Sequence, residues 1–187
     1  MRNLRRAMRR PTTIAAAAAI AAIAGPSSAS AADLTIKVRD RHISELGGFR
    51  TSGLHGTLRE AIRAWGRPSS RKRQGDTGCA VNWAGAGVRA IFANFGGGSG
   101  CSERLARLQR ATLRSKRWST ERGLHVGDPT TKLKQLYGGA TFTASYFWLY
   151  TAPDVFGGTD DDIPIVTAQT KGGAVNLMQV FVMAAGD

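Results

Sequence analysis

Apolar residues in this chain follow a helical spacing in two short windows and alternate with polar ones through most of the remainder. The first window is Leu58, Ala61, Ile62 and Trp65, a stripe at i, i+3, i+4 and i+7. Thr57 stands before it, Glu60 completes a Thr-x-x-Glu capping box, and Gly66 follows, so a helix is predicted over 58–65. The second window is Leu133, Leu136 and Tyr137. Here Asp128 reads as the N-cap, Pro129 as the first helical residue, and Gly138 as a left-handed residue closing the helix.

Between and around these windows the period is two. Leu34, Ile36 and Val38 alternate with Thr35 and Lys37, an initial strand, and Arg39 to Ser52 shows no clear period. Arg67 to Gly78 holds Pro68, two serines and the run Arg71-Lys72-Arg73, and reads as an exposed loop. Cys79, Val81 and Trp83 form a strand, Ala84 to Gly87 a hairpin turn, and Val88 to Phe95 the returning strand. Gly96 to Gly100 is a tip, Ser102 to Leu108 suits one helical turn, and Arg110 to Ser119 reads as a third strand. Later, Phe142 to Thr151 is a long strand with aromatics on both faces. Gly157 to Asp162 follows as an acidic loop, and Ile163 to Thr170 and Ala174 to Met183 are strands joined at Lys171-Gly172-Gly173.

Gly53-Leu54-His55 and Gly123-Leu124-His125 begin 70 residues apart, each just before a predicted helix. The order of elements after them is the same. The prediction is an α+β fold: a tandem repeat of a short helix plus a three-stranded antiparallel meander, with repeat one over 53–119 and repeat two over 120–187, after an N-terminal strand and linker at 32–52.

Composition adds an export signal. Arg2, Arg5, Arg6, Arg9 and Arg10 make a positive start, Ile14 to Ala24 an apolar run, and Ala29-Ser30-Ala31 a small-residue cleavage site, so 1–31 reads as a secretory signal peptide. The apolar run is shorter than the ~20 residues a membrane-spanning helix needs, so no transmembrane segment is expected after cleavage. The chain is then secreted, extracellular or cell-wall associated. Two cysteines in such a chain, Cys79 and Cys101, read as one disulfide bond.

The formal charge of +13 becomes +8 once the five signal arginines are removed. All the mature Lys and Arg except Lys171 lie at or before Lys134, so the first half is basic and the last part mildly acidic. That asymmetry suits an anionic wall polymer or lipid surface, met through Arg71, Lys72 and Arg73.

Catalytic patterns do not emerge. The sequence holds no Gly-x-Ser-x-Gly, no His-Glu-x-x-His and no phosphate-binding Gly-x-x-x-x-Gly-Lys. His55 and His125 occupy matching places in the two halves, which favours a structural role, and Asp160-Asp161-Asp162 lacks the alternation of a calcium loop. No catalytic residue, metal or cofactor is expected, and no nucleic acid. The aromatics of Phe142 to Thr151 are more informative. Alternation places Tyr146, Trp148 and Tyr150 on one face and Phe147 and Leu149 on the other. A face of Tyr and Trp serves either as a protein-binding surface or as the seam between repeats.

The export signal, the repeat, the short helix after Gly123-Leu124-His125-Val126-Gly127-Asp128 and the disulfide together resemble the beta-lactamase inhibitory protein family and the outer-membrane assembly lipoproteins of BamE (SmpA/OmlA) type. The stretch from Trp118 to Asp128, leading to Leu133 and Leu136-Tyr137, is similar to that of uncharacterised secreted proteins of actinobacterial type. The resemblance spans roughly Thr51 to Gly186 and implies the helix-plus-meander fold. The inhibitor family carries a cysteine pair in each repeat, whereas this chain has one pair, and BamE-type proteins carry a lipid anchor that this chain lacks. None of the inhibitor's target-contacting residues is matched. The expectation is therefore an exported, non-enzymatic binding protein contacting another protein through an aromatic sheet face, with a cell-envelope module for anionic polymer or lipid as the alternative.

Overall fold

The structure, a computed structural model, describes residues 34–52, 55–143, 146–153 and 162–182. The predicted signal peptide, Gly53-Leu54 and most of the acidic loop lie outside the described residues.

The chain is mostly β, and the predicted tandem α+β repeat of helix and three-stranded meander is not what forms. Among the described residues, two sheets, of four and eight strands, are accompanied by two short helices. The smaller sheet uses the segment predicted as strand and linker. β1 (Leu34–Arg39), β2 (His42–Leu46) and β3 (Phe49–Arg50) form successive antiparallel pairs. Both turns between them are two residues long with positive φ, Asp40 (48°) and Arg41 (61°) in the first, Gly47 (54°) and Gly48 (80°) in the second. That is the type I′ pattern whose twist matches the strands it joins. The short strands left no long alternation to read.

Helix α1 (Leu58–Trp65) forms as predicted. Thr57 Oγ1 accepts from the Glu60 amide at 3.3 Å while Glu60 Oε2 accepts from the Thr57 amide at 3.0 Å, the reciprocal box. Its last residue anchors it: the Trp65 ring meets Phe49 at 5.1 Å, Trp83 at 5.1 Å and Trp118 at 6.1 Å, all edge-to-face. The buried indoles keep partners. Trp83 Nε1 donates to Gly66 O and Trp118 Nε1 to Ala86 O, each at 2.8 Å.

The segment after α1, predicted as a loop, is strand β4 (Ser70–Gln74), every residue exposed. It has no apolar face and forms because β5 (Gly78–Trp83) offers it a full ladder. Its charges suit an edge strand, since they discourage pairing with a further chain. The chain then runs through β6 (Val88–Ala93) to β7 (Arg107–Leu113). The predicted helical turn at Ser102 to Leu108 is a single closed turn, with the Ala106 amide on Ser102 O at 2.9 Å, and β7 starts within it. The predicted third strand is broken in two, because β8 (Trp118–Thr120) leaves for the smaller sheet and pairs in parallel with β1.

Cys79 and Cys101 are bridged, with Cα atoms 4.9 Å apart. The 22-residue separation corresponds to about 3 kcal/mol in the chain-entropy account. Next to it Gly100 is required: a Cβ there would sit 2.2 Å from the carbonyl of Thr77.

Helix α2 (Thr130–Leu136) corrects two predicted details. Its N-cap is Pro129, which offers no side-chain bond, and Asp128 instead accepts from the His125 amide at 2.7 Å and pairs with Lys132 at 2.8 Å. Gly138 is not among the glycines with positive φ; the helix ends at Tyr137. The predicted long aromatic strand is a hairpin, β9 (Phe142–Thr143) and β10 (Tyr146–Pro153). β11 (Asp162–Lys171) and β12 (Ala174–Phe181) follow.

The larger sheet runs β4-β5-β6-β7-β12-β11-β10-β9 and is antiparallel throughout. β7 meets β12 at its centre, so strands from both sides of residue 120 share one sheet. A three-stranded meander would have left that inner edge unpaired, and joining the two edges satisfies both. One face of the sheet carries Val81, Val88, Ala111, Val166 and Met178, all buried in the core with Leu58, Trp118, Leu124 and Leu133.

Candidate functional site: the outward face of the large sheet

Antiparallel partners point their side chains to the same face, so register alone sorts the sheet. One row runs Tyr150, Val166, Val180, Ala111, Ala90, Val81, and belongs to the core. The next row runs Trp148, Thr167, Gln179, Thr112, Arg89, Asn82 and faces away from it. A third row places Phe181 beside Arg110, Ile91, Ala80 and Lys72 on that same outward face. Tyr146 stands opposite Gln169 and Leu177. Leu177 is buried yet outside the main core cluster, so the outward face has a small apolar patch of its own at the Tyr146 end.

The three aromatics predicted for one face therefore part company. Tyr146 and Trp148 are half-buried and outward. Tyr150 is turned inward by a register slip: Trp148 opposes Thr167, and Tyr150 opposes Val166, so two residues of β10 meet one step of β11. Such a bulge moves a side chain to the opposite face. Tyr150 packs against the core, and its hydroxyl lies 3.2 Å from that of Tyr137, which donates to Thr120 Oγ1 at 2.8 Å. Burial first, with the Tyr150 hydroxyl adding to it, pushes the Tyr137 phenol well above its ordinary value. The Arg122 guanidinium stacks over both rings, 5.0 Å from Tyr137 and 5.8 Å from Tyr150. A cavity of about 360 Å³ opens where this cluster meets the sheet edge at Trp148.

Thr167 is 4% exposed, and its Oγ1 has no hydrogen-bond partner. An orphaned buried hydroxyl costs about 1–3 kcal/mol. It sits beside Trp148 on the outward face, and sequence reasoning missed it, since a threonine within an alternating strand carries no signal of whether its hydroxyl is satisfied.

The basic residues also separate. Arg71 pairs with Glu103 at 2.8 Å, and Arg73 donates to Gly75 O at 3.0 Å and meets Asp76 at 3.4 Å. Arg71 and Arg73 lie opposite Val81 and Cys79, on the core side of the edge strand, whereas Lys72 lies opposite Ala80 on the outward side. Lys72, Arg89 and Arg110 are exposed on that face, without ion-pair partners among the described residues. Of the acidic loop, Asp162 opens β11, pairs with Arg41 and accepts from Thr151 Oγ1 at 2.9 Å.

The two histidines that open the halves differ. His125 contributes its backbone amide to the Asp128 turn, whereas the His55 ring nitrogen Nδ1 lies 2.7 Å from Glu60 Oε1. Among the described residues no three His, Cys, Asp or Glu side chains gather as metal ligands, and no helix is long and apolar enough to cross a membrane.

No family model matches this chain, and no curated protein matches it either. Neither comparison supplies support for the beta-lactamase inhibitory protein or BamE resemblance. Among solved structures, the chain is similar to an extracellular protein containing an SCP domain from Bacillus anthracis str. Ames, at 10% identity and a TM-score of 0.41. The match covers 79% of this chain and spans half the length of that one.

Proposed function

We propose that this chain is an exported, non-enzymatic binding protein that contacts an acidic partner protein through the outward face of its large sheet. The observation that carries the reading is Trp148, half-buried in a row of the sheet that faces away from the core and runs on to the exposed Arg89. A rigid aromatic on a face turned away from the core suits an interface anchor. Lys72, Arg89 and Arg110 on the same face set the charge of the partner. Export is supported by the Cys79–Cys101 bridge, since such bonds persist in oxidising compartments.

The second reading is a module for anionic wall polymer or lipid, favoured by those three unpaired cations. Against it, two of the three cations in Arg71-Lys72-Arg73 already have partners within the chain. The test captures partners from culture filtrate and from washed cell walls with the parent, Trp148→Ala and Phe95→Ala. Phe95 is 74% exposed and lies outside the face, so it controls for general stickiness. Loss of a discrete acidic protein in Trp148→Ala alone supports the proposal. Salt separates the readings: charge-driven binding fades as the screening length falls from about 10 Å at 0.1 M to about 3 Å at 1 M, and aromatic-anchored binding persists. Capture that is equal in all three proteins defeats the aromatic role.

A further inference from the structure

A cleft of about 310 Å³ lies beside β3 and α1, lined by Gly48, Phe49, Arg50, His55, Glu60 and Arg63 among others. It is separate from the sheet face. We propose that it binds a small soluble ligand through a phosphate group, held by Arg50, Arg63 and the free ring nitrogen Nε2 of His55.

The argument begins with the carboxylate. Glu60 Oε1 engages His55 Nδ1 at 2.7 Å, and Oε2 accepts from the Thr57 amide at 3.0 Å and the Thr57 hydroxyl at 2.9 Å. Partial burial works against its charge, but the bonds from His55 and Thr57 outweigh that and bring its pKa down to about 2. Glu60 is thus ionised, and both its oxygens are engaged within the chain. The same contact orients the imidazole: with Nδ1–H on the carboxylate, Nε2 is the nitrogen left for a ligand, and it meets a phosphate by accepting from a P–OH or, as the imidazolium, by donating to a phosphate oxygen. The backbone under the ring is held too, because Arg107 Nη1 donates to His55 O at 2.6 Å.

The two arginines are the opposite case. Neither the Arg50 nor the Arg63 side chain has a hydrogen bond or ion pair among the described residues, and both residues line the cleft. Two unpartnered guanidiniums and an imidazole edge outnumber one carboxylate that is already engaged. A carboxylate ligand offers two oxygens, enough for one guanidinium fork; a phosphate offers three terminal oxygens, enough for both forks and the imidazole. The volume lies at the low end of ligand sites, which fits a single phosphorylated unit rather than a polymer.

The experiment titrates the full chain with inorganic phosphate at low salt and follows heat and the His55 ring resonances. The expected result is saturable binding that weakens at least about tenfold in Arg50→Ala/Arg63→Ala, with an unchanged melting temperature because both side chains are exposed and unpartnered. Arg63→Lys, which keeps the charge and loses the fork, should fall between parent and double variant. No saturable response by about 10 mM phosphate, or equal affinity in the double variant, overturns the proposal. A second arm offers phosphatidylglycerol vesicles; binding to vesicles without binding to phosphate overturns the soluble-ligand assignment. Because Trp148 takes no part, failure here leaves the sheet-face reading standing, and the reverse also holds.

Discussion

Trp148 is the cross-strand partner of Thr167, and the threonine hydroxyl beneath that row is buried without a hydrogen bond. Thr167→Val keeps the shape and removes the orphaned group. It should stabilise the protein by about 1 kcal/mol, read as a raised thermal midpoint. A lowered midpoint would mean that the hydroxyl is satisfied in solution.

Tyr146 and Tyr150 are four residues apart on one strand and sit on opposite faces. Tyr150→Phe removes a hydroxyl next to Tyr137 and should cost about 1 kcal/mol, whereas Tyr146→Phe should leave stability unchanged. Chemical denaturation of the two variants side by side measures this, and equal effects would place both rings in the same environment.

The Glu60 carboxyl has a folded pKa of about 2 against an ordinary 4.5. A depressed carboxyl contributes stability that is complete above the ordinary value and is lost as pH falls toward the folded one. Glu60→Gln should therefore be less stable than the parent near neutral pH, by about 1–2 kcal/mol after allowance for solvent screening. The gap should close between about pH 4.5 and about pH 2. Urea unfolding of both proteins across that window gives the gap directly, and a gap independent of pH would contradict the ionised box.

Reduction of Cys79–Cys101 should lower stability by about 3 kcal/mol, with no free thiol detectable before reduction. Thiol titration of the denatured, unreduced chain, followed by denaturation with and without reductant, checks both halves of the statement.

What the chain determined by itself is what depends on near neighbours. The Thr57–Glu60 box closes over three residues, so α1 was legible to the residue. The alternation of Cys79, Val81 and Trp83 describes a strand with one buried face, and β5 is such a strand. Two cysteines in a chain with an export-type start implied a bridge, and the bridge is there. Tertiary structure decided the rest. Ser70–Gln74 has no apolar residue and becomes a strand only because the edge of β5 lacks a partner without it. Likewise, Asp128 is placed as an N-cap by spacing, but its Oδ2 is turned to the His125 amide and the Lys132 ammonium instead. Tyr150 belongs by alternation with Trp148, and a slip in the β10–β11 ladder sends it to the core. Strand pairing is a long-range event, and one extra residue in a ladder reverses every face beyond it, so the number of strands, the continuous eight-stranded sheet and the outward pair of aromatics are properties of the assembled backbone rather than of any local pattern.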